Sequence, residues 1–171
     1  YIDHSCDAIT SIAMFYDLDD PKAFVAEIDR LLTPNGVWIC QFQDLGQQVA
    51  TNAFDNFVAE HLCYYSARTF APLLYGYNLS LAAIEQRAIN GGSLRFYVRR
   101  ADNRAAFNIG RSVHPMFNLS IWDRGLSRDS LDHFAWRVGQ YKDQLLGAID
   151  HALSQDLYLD LYAASTKSSP L

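Results

Sequence analysis

The feature that most constrains the fold is the spacing of apolar residues, which changes twice within the first 43 residues. A continuous apolar run gives way to a helical spacing, and a second continuous run follows. Residues 8–15 form a nearly continuous apolar run, as expected for a strand covered on both faces. Pro21 stands where a helix begins, with Asp20 or the aspartate before it as the N-cap. A turn at residues 33–36 leads to a second apolar strand at residues 37–42. The helical stripe between the strands consists of Phe24, Val25, Ile28, Leu31 and Leu32. This order predicts a βαβ unit with parallel strands.

Beyond residue 43 the patterns predict further elements. Ser66 caps a short helix, residues 79–84 are extended, and residues 94–99 alternate strictly, as in a half-exposed strand. Ser127 or the serine three residues later opens the longest helix. The aromatic residues of its apolar stripe are predicted to belong to the core, and the stripe consists of Phe134, Val138, Tyr141, Leu145, Ala148 and Ala152. Residues 157–163 predict one more strand, which leads directly into the terminus.

Composition excludes several classes of protein. The 171 residues are 50% hydrophobic and 19% charged, so the chain can bury a sizeable core and is not disordered. A net charge of −5 argues against a nucleic-acid partner, and no apolar run is long enough to span a membrane. Three cysteines without a CxxC pair indicate a reducing, cytoplasmic setting and no metal site. With no initiator Met or signal peptide, we expect the chain to be a fragment of a longer protein.

One cluster of residues carries acid–base chemistry. Glu60 and His61 are followed by Tyr64 and Tyr65. Histidine titrates near neutral pH, a neighbouring carboxylate orients it, and phenols donate to a developing oxyanion. The alternative is a surface Glu-His pair beside two tyrosines that pack on the core.

Two further segments are candidates for contact with a phosphate. Asn90, two glycines and Ser93 precede Arg95, so the backbone can approach a ligand while the guanidinium pairs with a phosphate. The alternative is a hairpin turn with a solvated arginine. Lys167 lies among hydroxyl side chains after the last predicted strand, although the segment lacks a P-loop motif. The alternative there is a frayed terminus.

Taken in order, these segments resemble the family of sugar C-methyltransferases, which use S-adenosylmethionine (SAM) to methylate nucleotide-linked deoxy-4-ketohexoses. The first two matching segments are shared broadly with class I methyltransferases, and the third to fifth are specific to the family. The segments run from end to end of the chain and lie at residues 7–10 with 14–21, 31–41, 54–56, 60–62 with 64–66, 90–95, and 162–167.

The resemblance implies an α/β fold made of two parts. Residues 1–43 are then the end of a class I methyltransferase (Rossmann-like) domain, which binds SAM through a loop upstream of this chain. Residues 44–171 are then an incomplete α/β C-terminal domain. Zinc is expected only in an N-terminal part that this sequence does not include.

The resemblance also implies roles for the site residues. His61 matches the family's base, Glu60 stands beside it, and one of Tyr64 and Tyr65 assists. The base removes a proton next to the ketone, and the resulting carbanion takes the methyl group. Residues that border SAM are Met14, Phe15 and Tyr16, and those for the sugar nucleotide are Asn90, Ser93, Arg95 and Lys167.

Some positions depart from the family pattern. Val58, Ala59 and Asp17 replace residues that are usual there, and the glycines around Lys167 are lost. These changes lie on the substrate side of the expected site. Two alternatives therefore stay open: an enzyme of the same fold that acts on another carbonyl compound, and a binding module that has lost catalysis.

Overall fold

A computed structural model describes residues 2–103, 111–112 and 119–160. Five strands form one sheet in the order β1-β2-β4-β3-β5. The strands are β1 (Cys6–Ile12), β2 (Leu32–Gln43), β3 (Leu79–Arg87), β4 (Ser93–Arg100) and β5 (Arg111–Ser112). The α-helices are α1 (Pro21–Leu31), α2 (Leu45–Thr51), α3 (Ala67–Phe70) and α4 (Arg128–Ser154). Short 3-10 helices lie at Phe15–Asp17, Phe54–Asn56, Ala71–Leu74 and Leu119–Asp123. The predicted α/β fold class is confirmed.

The predicted βαβ unit is present at the start of the sheet. β1 and β2 are parallel, and α1 connects them. The Asp20 side chain accepts hydrogen bonds from two backbone N–H groups of the first turn of α1, and Pro21 occupies the start of the helix. The turn predicted at residues 33–36 is wrong, because β2 begins directly after α1. Residues 33–36 lie where the pairing of β1 with β2 shifts register. Cys6 pairs with Leu32 and Ala8 with Val37, so β2 has more residues in this interval than β1.

Two antiparallel strands extend the same sheet. β4 pairs with β2, β3 pairs with β4, and the β3–β4 connection is the hairpin at residues 88–92. The alternation predicted for residues 94–99 is thus confirmed as a strand, although Tyr97 on its polar face is only 5% exposed. The sheet runs across position 43/44, where the sequence predicts a boundary between two domains. That division stays a prediction.

An aromatic core covers one face of the sheet. Phe15 is fully buried and lies 5.4 Å from Phe70 and 5.8 Å from Trp38, measured between ring centroids. Phe42 lies 5.0 Å from Phe96 of the neighbouring strand. Each such pair contributes about 0.5–1.5 kcal/mol beyond the area that it buries. This core holds α1, α3 and the residues that follow β1 against the sheet.

The long helix differs from its prediction. Ser127 caps α4 through a capping box with Ser130, as expected, but none of the residues of α4 is buried. Tyr141 of the predicted stripe is 55% exposed and Leu145 is 41% exposed, so the prediction of a core stripe is wrong. An amphipathic pattern identifies the apolar face of a helix but does not provide a partner for it. Residues 157–160 of the last predicted strand are not in a strand, and the rest of that segment lies outside the described residues.

Two kinds of feature are not found in the part of the chain that the structure describes. No helix there combines the length and the apolar character that crossing a bilayer requires. No three His, Cys, Asp or Glu side chains there are grouped so that they could hold a metal ion.

Candidate functional site

The candidate site lies where the two parallel strands end. β1 and β2 have their carboxyl ends at the same edge of the sheet, and ligands of open α/β sheets bind outside that edge. The backbone N–H of Ala13, just past β1, donates to the carbonyl of Gln41 in β2 at 2.9 Å. The chain then enters the 3-10 helix at Phe15–Asp17, which includes Tyr16.

A contact between distant parts of the sequence places the imidazole at this edge. The His61 ring lies 4.2 Å from the Tyr16 ring, measured between centroids. The backbone N–H groups of Leu62 and Cys63 both donate to the carbonyl of Tyr16 at 3.0 Å. Residues 57–66, which include His61, are neither helix nor strand, so these contacts determine where the imidazole lies.

The surroundings of Tyr16 and His61 are partly buried and negatively charged. Burial raises the pKa of the Tyr16 phenol, and the nearby carboxylates of Asp17 and Glu60 raise it further. The phenol therefore keeps its proton at neutral pH. Nδ1 of His61 is buried and has no hydrogen-bond partner among the described residues. Glu60 is exposed, so its carboxylate remains in contact with solvent.

The two tyrosines after His61 have different surroundings. The Tyr64 ring lies 5.9 Å from the His61 ring, and its hydroxyl donates to the carbonyl of Val58 at 3.2 Å. Tyr65 is 7% exposed, and its ring lies 5.3 Å from Phe15 in the aromatic core. Burial raises the pKa of both phenols. The structure thus brings Tyr64 to the candidate site and places Tyr65 in the core.

The three candidates for cofactor contact also have different surroundings. Met14 is partly buried and packs against the core cluster. Phe15 is 0% exposed and aromatic rings surround it, so its side chain belongs to the core. Tyr16 contacts His61. Of the three, Met14 and Tyr16 have side chains at the edge of the sheet.

The candidates for substrate contact lie on the β3–β4 hairpin. Asn90 is exposed in the turn with a φ of 51°, and the buried Ser93 hydroxyl donates to the carbonyl of Ile89 at 2.9 Å. Nε of Arg95 donates to Oε1 of Gln41 at 2.8 Å. The hairpin is tied to the end of β2, because the N–H of Asp44 donates to the carbonyl of Gly92. Lys167 lies outside the described residues.

Sequence reasoning missed a set of buried polar side chains at the end of β2. Nε2 of Gln48 donates to Oε1 of Gln43 at 2.7 Å, and Nε2 of Gln43 donates to Oδ1 of Asn56 at 3.3 Å. Asp44 is 1% exposed, and burial raises its pKa to about 6. These residues connect the hairpin to the segment that leads to His61. A polar run directly after an apolar strand was the available signal.

Comparison with known proteins agrees with the fold. A protein-family model described as a methyltransferase domain matches residues 3–84, which include β1, α1, β2 and most of β3. This match supports a methyltransferase function in general, and the fold of this part is that of a class I methyltransferase-like domain. No curated protein sequence matches the chain.

Solved structures give weaker likenesses. One is a complex of the Haloferax volcanii Trm112 methyltransferase activator with a candidate methyltransferase, at 17% identity and a TM-score of 0.48. Another is the PH0226 protein from Pyrococcus horikoshii OT3, at 18% identity and a TM-score of 0.45. Each match covers 58% of this chain, and the matches cover 57% and 54% of those two chains. Similarities at this sequence identity and TM-score do not indicate an activity for this chain.

Proposed function

We propose that this chain is part of a SAM-dependent C-methyltransferase that methylates the carbon next to the ketone of a nucleotide-linked deoxy-4-ketosugar. The observation that carries the proposal is the contact between His61 and Tyr16, which holds an imidazole at the carboxyl end of β1. Ligands bind at that edge in open α/β sheets. The methyltransferase-domain match over residues 3–84 supports the same class of reaction.

The reaction assigned to His61 is removal of a proton from carbon. The imidazole accepts the proton and becomes an imidazolium, while the electron pair of the broken C–H bond forms an enolate with the ketone. The buried Nδ1 of His61 has no hydrogen-bond partner among the described residues, so no described side chain occupies it. Of the two tyrosines that follow His61, Tyr64 lies nearer to the imidazole and its phenol keeps its proton. We assign to it a hydrogen bond to the enolate oxygen, made in place of the bond to the Val58 carbonyl.

The residues at the edge of the sheet fit the charge of the proposed cofactor. SAM, when bound, supplies a methyl group on a positively charged sulfur. The Tyr16 ring lies in the field of the Asp17 and Glu60 carboxylates, and an aromatic face in a negative field favours a cation. Met14 and Tyr16 would hold the cofactor on this side. Their contribution is to bind it and to exclude water.

The hairpin residues are assigned to the sugar nucleotide. Arg95 is partly exposed and can pair with a phosphate, and Asn90 extends from the turn. The Ser93 hydroxyl is already bonded to Ile89, so its contribution is to hold the shape of the turn. Lys167 remains a candidate for the same phosphate.

The test is to replace His61 with Asn in the full-length enzyme. Asn keeps a polar side chain of similar size but cannot accept a proton at neutral pH. We expect turnover of a nucleotide-linked deoxy-4-ketohexose to fall about 10²-fold or more. Binding of SAM, measured by calorimetry, should stay nearly unchanged.

A second readout isolates the proton transfer. In D₂O the wild-type enzyme should exchange the substrate proton next to the ketone, and His61→Asn should not. The matched control is His133→Asn, because His133 lies exposed on α4. Exchange that persists in His61→Asn would show that another group is the base.

A further inference from the structure

We propose that Phe134 of α4 is a positioning residue for His61. It acts through two aromatic side chains of the segment that carries the imidazole. The role given to the imidazole rests on the proposed function, whereas the positioning itself is a property of the chain and can be measured without substrate.

A continuous set of ring contacts leads from α4 to the imidazole. The Phe134 ring lies 5.1 Å from Phe57, and Phe57 stacks on Tyr64 at 4.5 Å with an interplanar angle of 21°. Tyr64 lies 5.9 Å from His61. The Tyr64 hydroxyl and the His61 N–H also share one acceptor, the carbonyl of Val58, at 3.2 Å each. Displacing Phe57 or Tyr64 therefore displaces the backbone that holds His61.

The attachment of α4 is concentrated on one short stretch of the helix. Nε of Arg137 donates to Oδ1 of Asn52, and its NH2 group donates to the carbonyl of Val49 at 2.7 Å. One turn further along, Tyr141 lies 6.3 Å from Phe54. The successive spacings of three residues from Phe134 to Arg137 and four from Arg137 to Tyr141 place these side chains on one face of α4. All of them contact residues 49–57, which lead directly into the segment that carries His61.

The position of this segment depends on those contacts. The His61 ring contacts both Tyr16 and Tyr64. Residues 57–66 form no helix or strand, so regular backbone hydrogen bonding does not hold them. If Phe134 is removed, the Phe57–Tyr64 pair loses a packing partner. The imidazole then gains freedom relative to Tyr16.

The experiment compares three variants of the chain by NMR of the histidine rings, with the His61 signals assigned through His61→Asn. The Tyr16 ring at 4.2 Å shifts the His61 ring signals by its ring current. In Phe134→Ala we expect these signals to lose much of that shift and to broaden. In Phe134→Tyr, which keeps the ring, we expect them to return to the wild-type positions.

The matched control is Trp136→Ala. Trp136 lies on the same helix but is 64% exposed, so its removal should leave the His61 signals unchanged. If Phe134→Ala fails to fold, Arg137→Lys replaces it, because this change keeps the charge and weakens the hydrogen bonds to α2. Signals of His61 that do not move in Phe134→Ala, or that move equally in Trp136→Ala, would overturn the proposal.

Kinetics separate this proposal from the proposed function. In the full-length enzyme, Phe134→Ala should lower kcat about tenfold to a hundredfold, as a small displacement of a catalytic group does, and should leave KM for SAM within about twofold. If the His61 signals respond but the wild-type enzyme does not act on the ketosugar, the positioning role stands and the proposed function fails. If the wild-type enzyme turns over and Phe134→Ala matches it, the positioning role fails.

Discussion

At the scale of single residues, Asp44 is a carboxylate with very little exposure to water. Its side chain is 1% exposed, and Oδ1 accepts from the N–H of Gly46 at 3.0 Å. Oδ2 is buried without a hydrogen bond, and Nε of Arg124 lies 3.6 Å away. Burial raises the pKa of the carboxyl from 3.8 to about 6. The Gly46 hydrogen bond and Arg124 oppose this rise, and Asp123 adds to it.

This raised pKa makes stability depend on pH in a defined direction. Because the folded state binds the Asp44 proton more tightly than the unfolded state, the contribution is largest below about pH 4 and is lost as pH rises through about 6. Asp44→Asn keeps the cap of α2 and removes the titration. We expect the free energy of unfolding of the wild type to fall by about 2 kcal/mol relative to the variant between pH 4 and pH 7.

Urea denaturation of both proteins at pH 4, 5.5 and 7 measures this difference. If the free energy of unfolding changes with pH in the same way in both proteins, Asp44 does not titrate in this range.

At the scale of elements, α2 fits closely against the 3-10 helix at Leu119–Asp123. A Cβ atom on Gly46 would lie 2.6 Å from the carbonyl oxygen of Asp123, which is backbone and cannot rotate away. The side chain of Asp123 also forms an ion pair with α3, because its Oδ2 lies 3.3 Å from Nε of Arg68. The close approach therefore fixes how the chain that leads to α4 joins the rest of the fold.

Gly46→Ala should separate these two elements. We expect the free energy of unfolding to fall by about 1–3 kcal/mol, the usual cost of overpacking. Gly147→Ala in α4 is the matched control, since a Cβ there meets nothing within 4 Å. Alanine favours a helix, so this control should be neutral or more stable by up to about 1 kcal/mol. Equal effects of the two changes in urea denaturation would contradict the close fit.

At the scale of the whole molecule, β1 lies at the edge of the sheet. Among the described residues it pairs only with β2, and Ile12 at its end is 53% exposed. A strand edge with unpaired backbone groups and apolar side chains is a template for association with another chain. We therefore expect the chain to associate with itself when it is produced alone.

Ile12→Lys should reduce this association. A charge on an edge strand opposes edge-to-edge pairing, and the change removes up to roughly 1.5–3 kcal/mol that the isoleucine would gain by becoming buried on association. We therefore expect oligomers to require a concentration about tenfold higher, measured by size-exclusion chromatography with light scattering. The control is Ile2→Lys, because Ile2 is 80% exposed and precedes the strand. Association that is the same in both variants would place the contact elsewhere.

Features that depend on neighbouring residues were predictable from the sequence by itself. The βαβ unit, the Asp20 cap of α1, the Ser127 cap of α4 and the alternating strand at β4 all follow patterns of a few residues. The backbone needs of a helix end or a strand face are local, and the side chains that meet them lie within one or two turns. The sequence also indicated Glu60, His61 and the following tyrosines as candidates for chemistry.

The tertiary structure decided what depends on partners far away in the chain. It placed Tyr64 beside His61 and Tyr65 in the core, although the two are adjacent in sequence. It left the apolar face of α4 outside the core, with no fully buried residue. It also brought Tyr16 against His61, which no local pattern indicates. Burial and contact depend on which surfaces meet, and a periodic pattern specifies only which surface is apolar.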